Sequence, residues 1–153
     1  MAEIERKFVV DHVPADAPVQ STQRIRQGYL SLAPAEIRIR SSDDAAHELT
    51  VKSIGGLSRT EVTVPLAPEQ FAELWELTQR QIEKIRSRVL LEPWTAEVDV
   101  YDGRLAGLVV AEVEFPSEPD ALAFTPPPWF GTEVTTDSRY RNVELAAADS
   151  PPR

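Results

Sequence analysis

Ile82-Glu83-Lys84-Ile85-Arg86-Ser87-Arg88-Val89-Leu90-Leu91 and, shortly after, Thr95-Ala96-Glu97-Val98-Asp99-Val100-Tyr101 alternate charged and apolar residues with a period of two. Side chains of a strand point to opposite faces in turn, so this alternation marks strands with one polar and one apolar face. Lys84, Arg86 and Arg88 share a face with Ile85 and Val89 behind them, and Glu97 and Asp99 are set against Val98 and Val100 in the same way. Ile82 falls on the charged side.

The same pattern runs outward in both directions. Strands are expected over 3–10, 23–32, 35–41, 47–54, 58–65, 82–91, 95–101 and 108–115. Ser42-Asp43-Asp44, Gly55-Gly56 and Asp102-Gly103 supply tight turns, so consecutive strands should be antiparallel. Between the fifth and sixth strands, 68–77 opens on Pro68 and repeats Phe71, Leu74 and Trp75 at helical spacing. A short helix is expected over 118–123, stopped by Pro126-Pro127-Pro128, and a third from Asp137 or Ser138 to Leu145. Helices should cover part of the outside of the sheet. The tail, 146–153, offers little to pack and is expected to be disordered, which leaves 1–145 as one domain.

Composition narrows the function classes. The chain has 153 residues, no Cys and two His, which excludes thiolate metal sites, disulfides and His-rich zinc sites. A net charge of −9 argues against nucleic acid as a partner, and no apolar run approaches the length of a membrane span. A cytoplasmic protein is expected, and the Phe and Trp content leaves room for a homodimer.

The charged face is unusual. A solvated strand face commonly mixes Ser, Thr, Gln and Asn, whereas here it carries Lys7, Arg38, Arg40, Lys52, Arg59, Lys84, Arg86 and Arg88 together with Glu3, Glu5, Glu61, Glu97, Asp99, Glu112 and Glu114. Paired arginines suit a phosphate, and Glu-x-Glu and Glu-x-Asp pairs aim two carboxylates the same way, as hard cations require. The fold expected is mainly β, a closed eight-stranded antiparallel barrel with a charged lumen and a few flanking helices.

Glu3-Ile4-Glu5-Arg6-Lys7 resembles the Glu-x-Glu-x-Lys signature of the CYTH superfamily, the triphosphate tunnel metalloenzymes. It is joined in order by Gln27-Gly28-Tyr29-Leu30, Arg38-Ile39-Arg40, Thr50-Val51-Lys52, Gly56-Leu57-Ser58-Arg59-Thr60-Glu61, Ile82-Glu83-Lys84-Ile85-Arg86, Glu97-Val98-Asp99 and Ala111-Glu112-Val113-Glu114. Pro127 to Thr135 and Arg139-Tyr140-Arg141-Asn142 look like the C-terminal segments of short bacterial members, so the resemblance extends from Glu3 to about Leu145. Thr63 and Ser87 depart from residues common in the family and stay outside the expected site.

The resemblance implies a tunnel that binds a small triphosphate and Mg2+ or Mn2+. It makes Arg38, Arg40, Lys52, Arg59, Lys84 and Arg86 the substrate-binding set, and Glu3, Glu5, Asp99, Glu112 and Glu114 the metal ligands, with Glu97 as a weaker candidate. Lys7 would bind phosphate or, flanked by cations, serve as a base. Tyr29 would join it if its strand turns that side chain inward, with Gly28 a candidate bulge. The activity implied is metal-dependent hydrolysis of inorganic triphosphate. The alternatives are thiamine or nucleoside triphosphatase, adenylyl cyclase, and a non-catalytic polyphosphate-binding module.

Overall fold

The computed structural model describes residues 3–54 and 60–153. Its strands are β1 (Ile4–Val10), β2 (Val19–Ser31), β3 (Ala35–Ser42), β4 (Ala46–Ser53), β5 (Glu61–Leu66), β6 (Arg80–Leu91), β7 (Trp94–Tyr101), β8 (Val109–Phe115) and β9 (Phe130–Glu133). The helices are α1 (Pro68–Trp75), α2 (Glu118–Ala123) and α3 (Asn142–Leu145). Among the described residues no helix is long and apolar enough to cross a membrane.

The strands form one antiparallel sheet in the order β5-β4-β3-β2-β6-β7-β8-β1-β9. The eight expected strands are all present, and Phe130–Glu133 adds a ninth against β1. Among the described residues no ladder joins β5 to the β1–β9 end, and the fold is the mainly β sheet with a few helices that was expected. The sheet curls around the charged face. Tyr29 of β2, Ile82 of β6, Tyr101 of β7 and Val110 of β8 all lie on that face by register, and they meet in one buried cluster.

Two apolar cores result. The outer one sits between β1, β7 and β8 and the segment from α2 to β9, where Phe8, Val113, Phe115 and Phe130 are packed together. Phe8 is 2 % exposed and its ring stands 5.0 Å from that of Phe130; burying such a side chain contributes about 1.5–3 kcal/mol. Arg6, which alternation puts on this outer face, donates twice to Glu133 at 2.8 Å and to the carbonyls of Ala121 and Phe124. It therefore ties α2 and β9 to β1.

Helix α1 covers the outside of β3 and β4, as expected. Pro68 occupies its first turn, and the Gln70 side chain accepts from the Ala67 N–H at 2.8 Å. Phe71 stacks on His47 at 4.9 Å, and the Arg26 guanidinium lies 4.4 Å from the centre of the Trp75 ring. Gly28 is not a bulge: both of its ladders run through it in register. It is a point of close approach, since a Cβ there would stand 2.6 Å from Thr78 Cγ2 and 3.1 Å from Trp75.

The C-terminal helix departs from expectation. Ser138–Tyr140 is a 3-10 turn, and with α3 it enters the inside of the curl instead of covering the outside. Tyr140, Val143 and Leu145 pack against Tyr29, Ile82 and Tyr101, plugging one end of the charged cavity with apolar side chains. The tail is held as well. Ala146 is 3 % exposed, Ala148 packs on the same cluster, and Arg104 donates to the carbonyls of both. The expectation that nothing beyond Leu145 packs therefore fails for Ala146 and Ala148.

Candidate active site

Register brings the expected residues onto one face. Lys7 of β1 stands opposite Glu112 of β8, which stands opposite Glu97 of β7, and Glu5 opposes Glu114. Asp99 opposes Arg86, and Tyr101 opposes Lys84. On the other wall, Arg40 opposes Gln27 and Glu48, Arg38 opposes Tyr29 and Thr50, and Lys52 opposes Glu36 and Glu61. The acids concentrate on β1, β7 and β8 and the bases on β3 and β6. Arg59 lies outside the described residues.

Asp99 anchors the basic side. Its carboxylate accepts from Lys84 Nζ at 2.8 Å, Arg86 Nε at 2.7 Å and Arg86 Nη2 at 2.9 Å. Burial pushes the carboxyl up, but the two cations outweigh it and hold Asp99 at about 2. Lys84 is fully buried, and that burial lowers it to about 8 despite Asp99, because the single carboxylate is shared with Arg86. Arg86 also pairs with Glu97 at 2.8 Å. Asp99, expected as a metal ligand, is thus turned to the cations, and Lys84, expected on the substrate, has no exposed surface.

Arg38 and Arg40 are different. Among the described residues neither has a carboxylate within ion-pair distance. Burial lowers the Arg40 guanidinium, and the charges of Arg38 and Arg86 lower it further. Arg86 has Asp99 and Glu97, whereas Arg38 and Arg40, with no carboxylate in ion-pair contact among the described residues, leave a demand for an anion.

The acidic wall holds the complementary feature. Glu5 is pushed up to about 7, first by burial and then by the charge of Glu112 and a side-chain hydrogen bond with it. Two carboxyls this close share a proton unless a cation replaces it. Among the described residues no group of three or more such side chains is gathered as a ready cage. Glu114 lies beside the pair on an exposed stretch, and the exposed Glu3 just before β1 acts on Glu5 through its charge.

This arrangement gives a pH-dependent prediction. Between its ordinary value of 4.5 and about 7, folded Glu5 keeps a proton that the unfolded chain has released, so its contribution to stability is largest at acid pH and falls as pH rises through that window. A divalent cation should therefore raise the melting temperature at about pH 8 and lose most of that effect near pH 5.5, where it competes with the proton. Equal shifts at both pH values would remove Glu5 from the cation site.

Lys7 does not stand among cations. Its Nζ lies 3.4 Å from Glu112 and donates to the Tyr140 carbonyl at 3.3 Å. Tyr29 does turn inward, while Arg24 and Arg26 point outward toward Glu83. Its hydroxyl accepts from Gln27 Nε2 at 2.7 Å, and its ring belongs to the plug. The sequence reading missed three residues: Gln27, Tyr101, and Asn142, whose Oδ1 accepts from Tyr101 at 2.7 Å and from Lys84 at 3.4 Å. Alternation from Tyr29 and Asp99 marks the first two, whereas Asn142 is marked only as the end of the family-like Arg139-Tyr140-Arg141-Asn142 segment.

A family model described as CYTH domain matches residues 1–135. The chain is 45% identical over 149 residues to an inorganic triphosphatase of Nitrosomonas europaea, covering 95% of this chain and 97% of the relative. An inorganic triphosphatase of Acetivibrio thermocellus is 37% identical over 149 residues, covering 94% and 92%. The crystal structure of an inorganic triphosphatase superposes with a TM-score of 0.81 at 40% identity, covering 97% of this chain and 96% of that one.

Proposed function

The chain belongs to the CYTH domain family, and from that membership and the two-sided cavity we propose that it is an inorganic triphosphatase, cleaving tripolyphosphate to diphosphate and phosphate. What supports this reading is that the register puts Arg38, Arg40 and Arg86 on the same face of the curled sheet as Glu5 and Glu112, and that the arginines act on one another through their charges. Relatives covering nearly the whole chain carry the same name.

Divalent-metal dependence follows from the family, and Mg2+ or Mn2+ is the ion we propose. Glu5 and Glu112 would hold it, with Glu3 and Glu114 at the margin. When bound, the ion neutralises charge on phosphate oxygens and makes water a better nucleophile. Arg38 and Arg40 present N–H groups to the phosphates, and the forked guanidinium can grip two oxygens of one phosphate at once, while Arg86 is tied to Asp99 and Glu97. Lys7, held between Glu112 and the Tyr140 carbonyl, remains a donor for the terminal phosphate, and Lys52 extends the basic wall toward the rim. Water attacks the terminal phosphorus in line, the bond to the bridging oxygen breaks, and the diphosphate departs with its new charge facing the arginines. No covalent intermediate is involved.

The test is phosphate release from tripolyphosphate, ATP and thiamine triphosphate side by side, with Mg2+, Mn2+ or a chelator, and with cyclic AMP measured in parallel. Preferential, metal-dependent cleavage of tripolyphosphate is expected. Cyclic AMP formation, or tight binding without turnover, would overturn the reading. Arg40→Ala should raise KM for tripolyphosphate by about tenfold or more, the loss of a charge-assisted contact, with the fold intact.

A further inference from the structure

Gln27 is 0 % exposed, on a strand between β3 and β6, and both ends of its amide are used. Its Oε1 accepts from Arg40 Nε at 2.9 Å and its Nε2 donates to the Tyr29 hydroxyl at 2.7 Å. The orientation is forced, because a guanidinium can only donate and so must face the amide oxygen. We propose that Gln27 is the positioning residue for substrate binding at this site: it locks Arg40 through Nε so that both terminal nitrogens point to the phosphate, without cancelling the charge. The inference rests on the triphosphate reading above.

Two arginines of the same wall show why an amide is used. Arg86 is fixed by Asp99, which takes its Nε and Nη2, and it spends Nη1 on Glu97. Its charge is largely balanced within the protein. Arg40 is fixed at Nε alone, by a neutral acceptor, and among the described residues its Nη1 and Nη2 have no hydrogen-bond partner. It therefore keeps both its charge and its fork. Tyr29 anchors the other end of Gln27, and its ring is wedged against Ile82, Tyr140 and Val143. Accepting from Gln27 also leaves the tyrosine its own proton, which burial keeps in place by raising the hydroxyl's pKa. The plug thus sets the aim of Arg40 through Tyr29 and Gln27.

The experiment measures KM and kcat for tripolyphosphate, calorimetric binding of tripolyphosphate without metal, and melting temperature, for wild type, Gln27→Leu, Gln27→Glu, Arg40→Met and the double variant Gln27→Leu/Arg40→Met. Gln27→Leu should raise KM and Kd by about tenfold, the loss of one positioning hydrogen bond, and should add nothing in the Arg40→Met background. Gln27→Glu retains the acceptor and the shape but cancels the Arg40 charge, so it should weaken binding comparably while keeping the melting temperature of wild type. Unchanged KM and Kd in Gln27→Glu, or a full additional loss from Gln27→Leu in the Arg40→Met background, would overturn the proposal. If Gln27→Leu fails to fold, the Gln27→Glu arm decides. Wild type that binds tripolyphosphate but does not cleave it would sink the hydrolase reading and leave the Gln27 result readable from Kd; wild type that does not bind would overturn both.

Discussion

Glu112→Ala should lower metal-dependent turnover by about a hundredfold or more while leaving the fold intact. Glu112 faces Lys7 across the β1–β8 ladder and shares a hydrogen bond with Glu5, so its loss takes away one of the two carboxylates proposed to hold the divalent ion. The structural consequence runs the other way. Glu112 is a principal reason that Glu5 sits at about 7, after burial. Removing it relieves a like-charge contact, and the Lys7–Glu112 pair that is also lost is partly exposed and contributes little. Without metal the variant should therefore melt at or above the wild-type temperature at neutral pH, and its stabilisation by Mg2+ or Mn2+ should disappear. Near-normal turnover would remove Glu112 from the cation site.

Asp99→Ala should be the most damaging single change to stability, costing about 3–5 kcal/mol. Three donated contacts end on this carboxylate, and one of them comes from Lys84, which is 0 % exposed. Cutting away the acid strands a fully buried ammonium, and few domains have more than about 5–15 kcal/mol to lose. Chemical denaturation would show the loss, and adding Lys84→Met in the same chain should restore part of it by removing the stranded charge. Equal stability of Asp99→Ala and wild type would mean that the buried cluster carries no net weight. The acid-side behaviour follows from the same geometry: with its folded value lowered to about 2, Asp99 contributes stability above the ordinary carboxylate value of 3.8 and loses it as pH falls through about 2.

Most of the candidate site was legible because a strand has only two faces. Once Lys84 and Arg86 are placed on one side, the two-residue period assigns Asp99, Glu112 and Arg40 to their faces without knowledge of any partner strand. The period cannot say which charges pair. Asp99 reads in sequence like the other half of an acidic pair with Glu97, yet its register opposite Arg86, beside buried Lys84, makes it an anchor for cations. Lys7 was expected among cations for the same reason, and the register set it against Glu112.

Local periodicity and short ordered motifs were enough for eight of the strands, the charged face and the family, but not for β9. Two features needed the packed molecule: the entry of the C-terminal helix into the curl, and the chain of contacts from Tyr29 through Gln27 to Arg40. The helix finds its partners far away along the chain, and the contacts of Gln27 need β2 and β3 paired in register. The apolar face of Tyr140, Val143 and Leu145 would suit the outside of a sheet as well as the inside. Only the exposed apolar surface of Tyr29, Ile82 and Tyr101 at one end of the curl makes the inside the more favourable place for it.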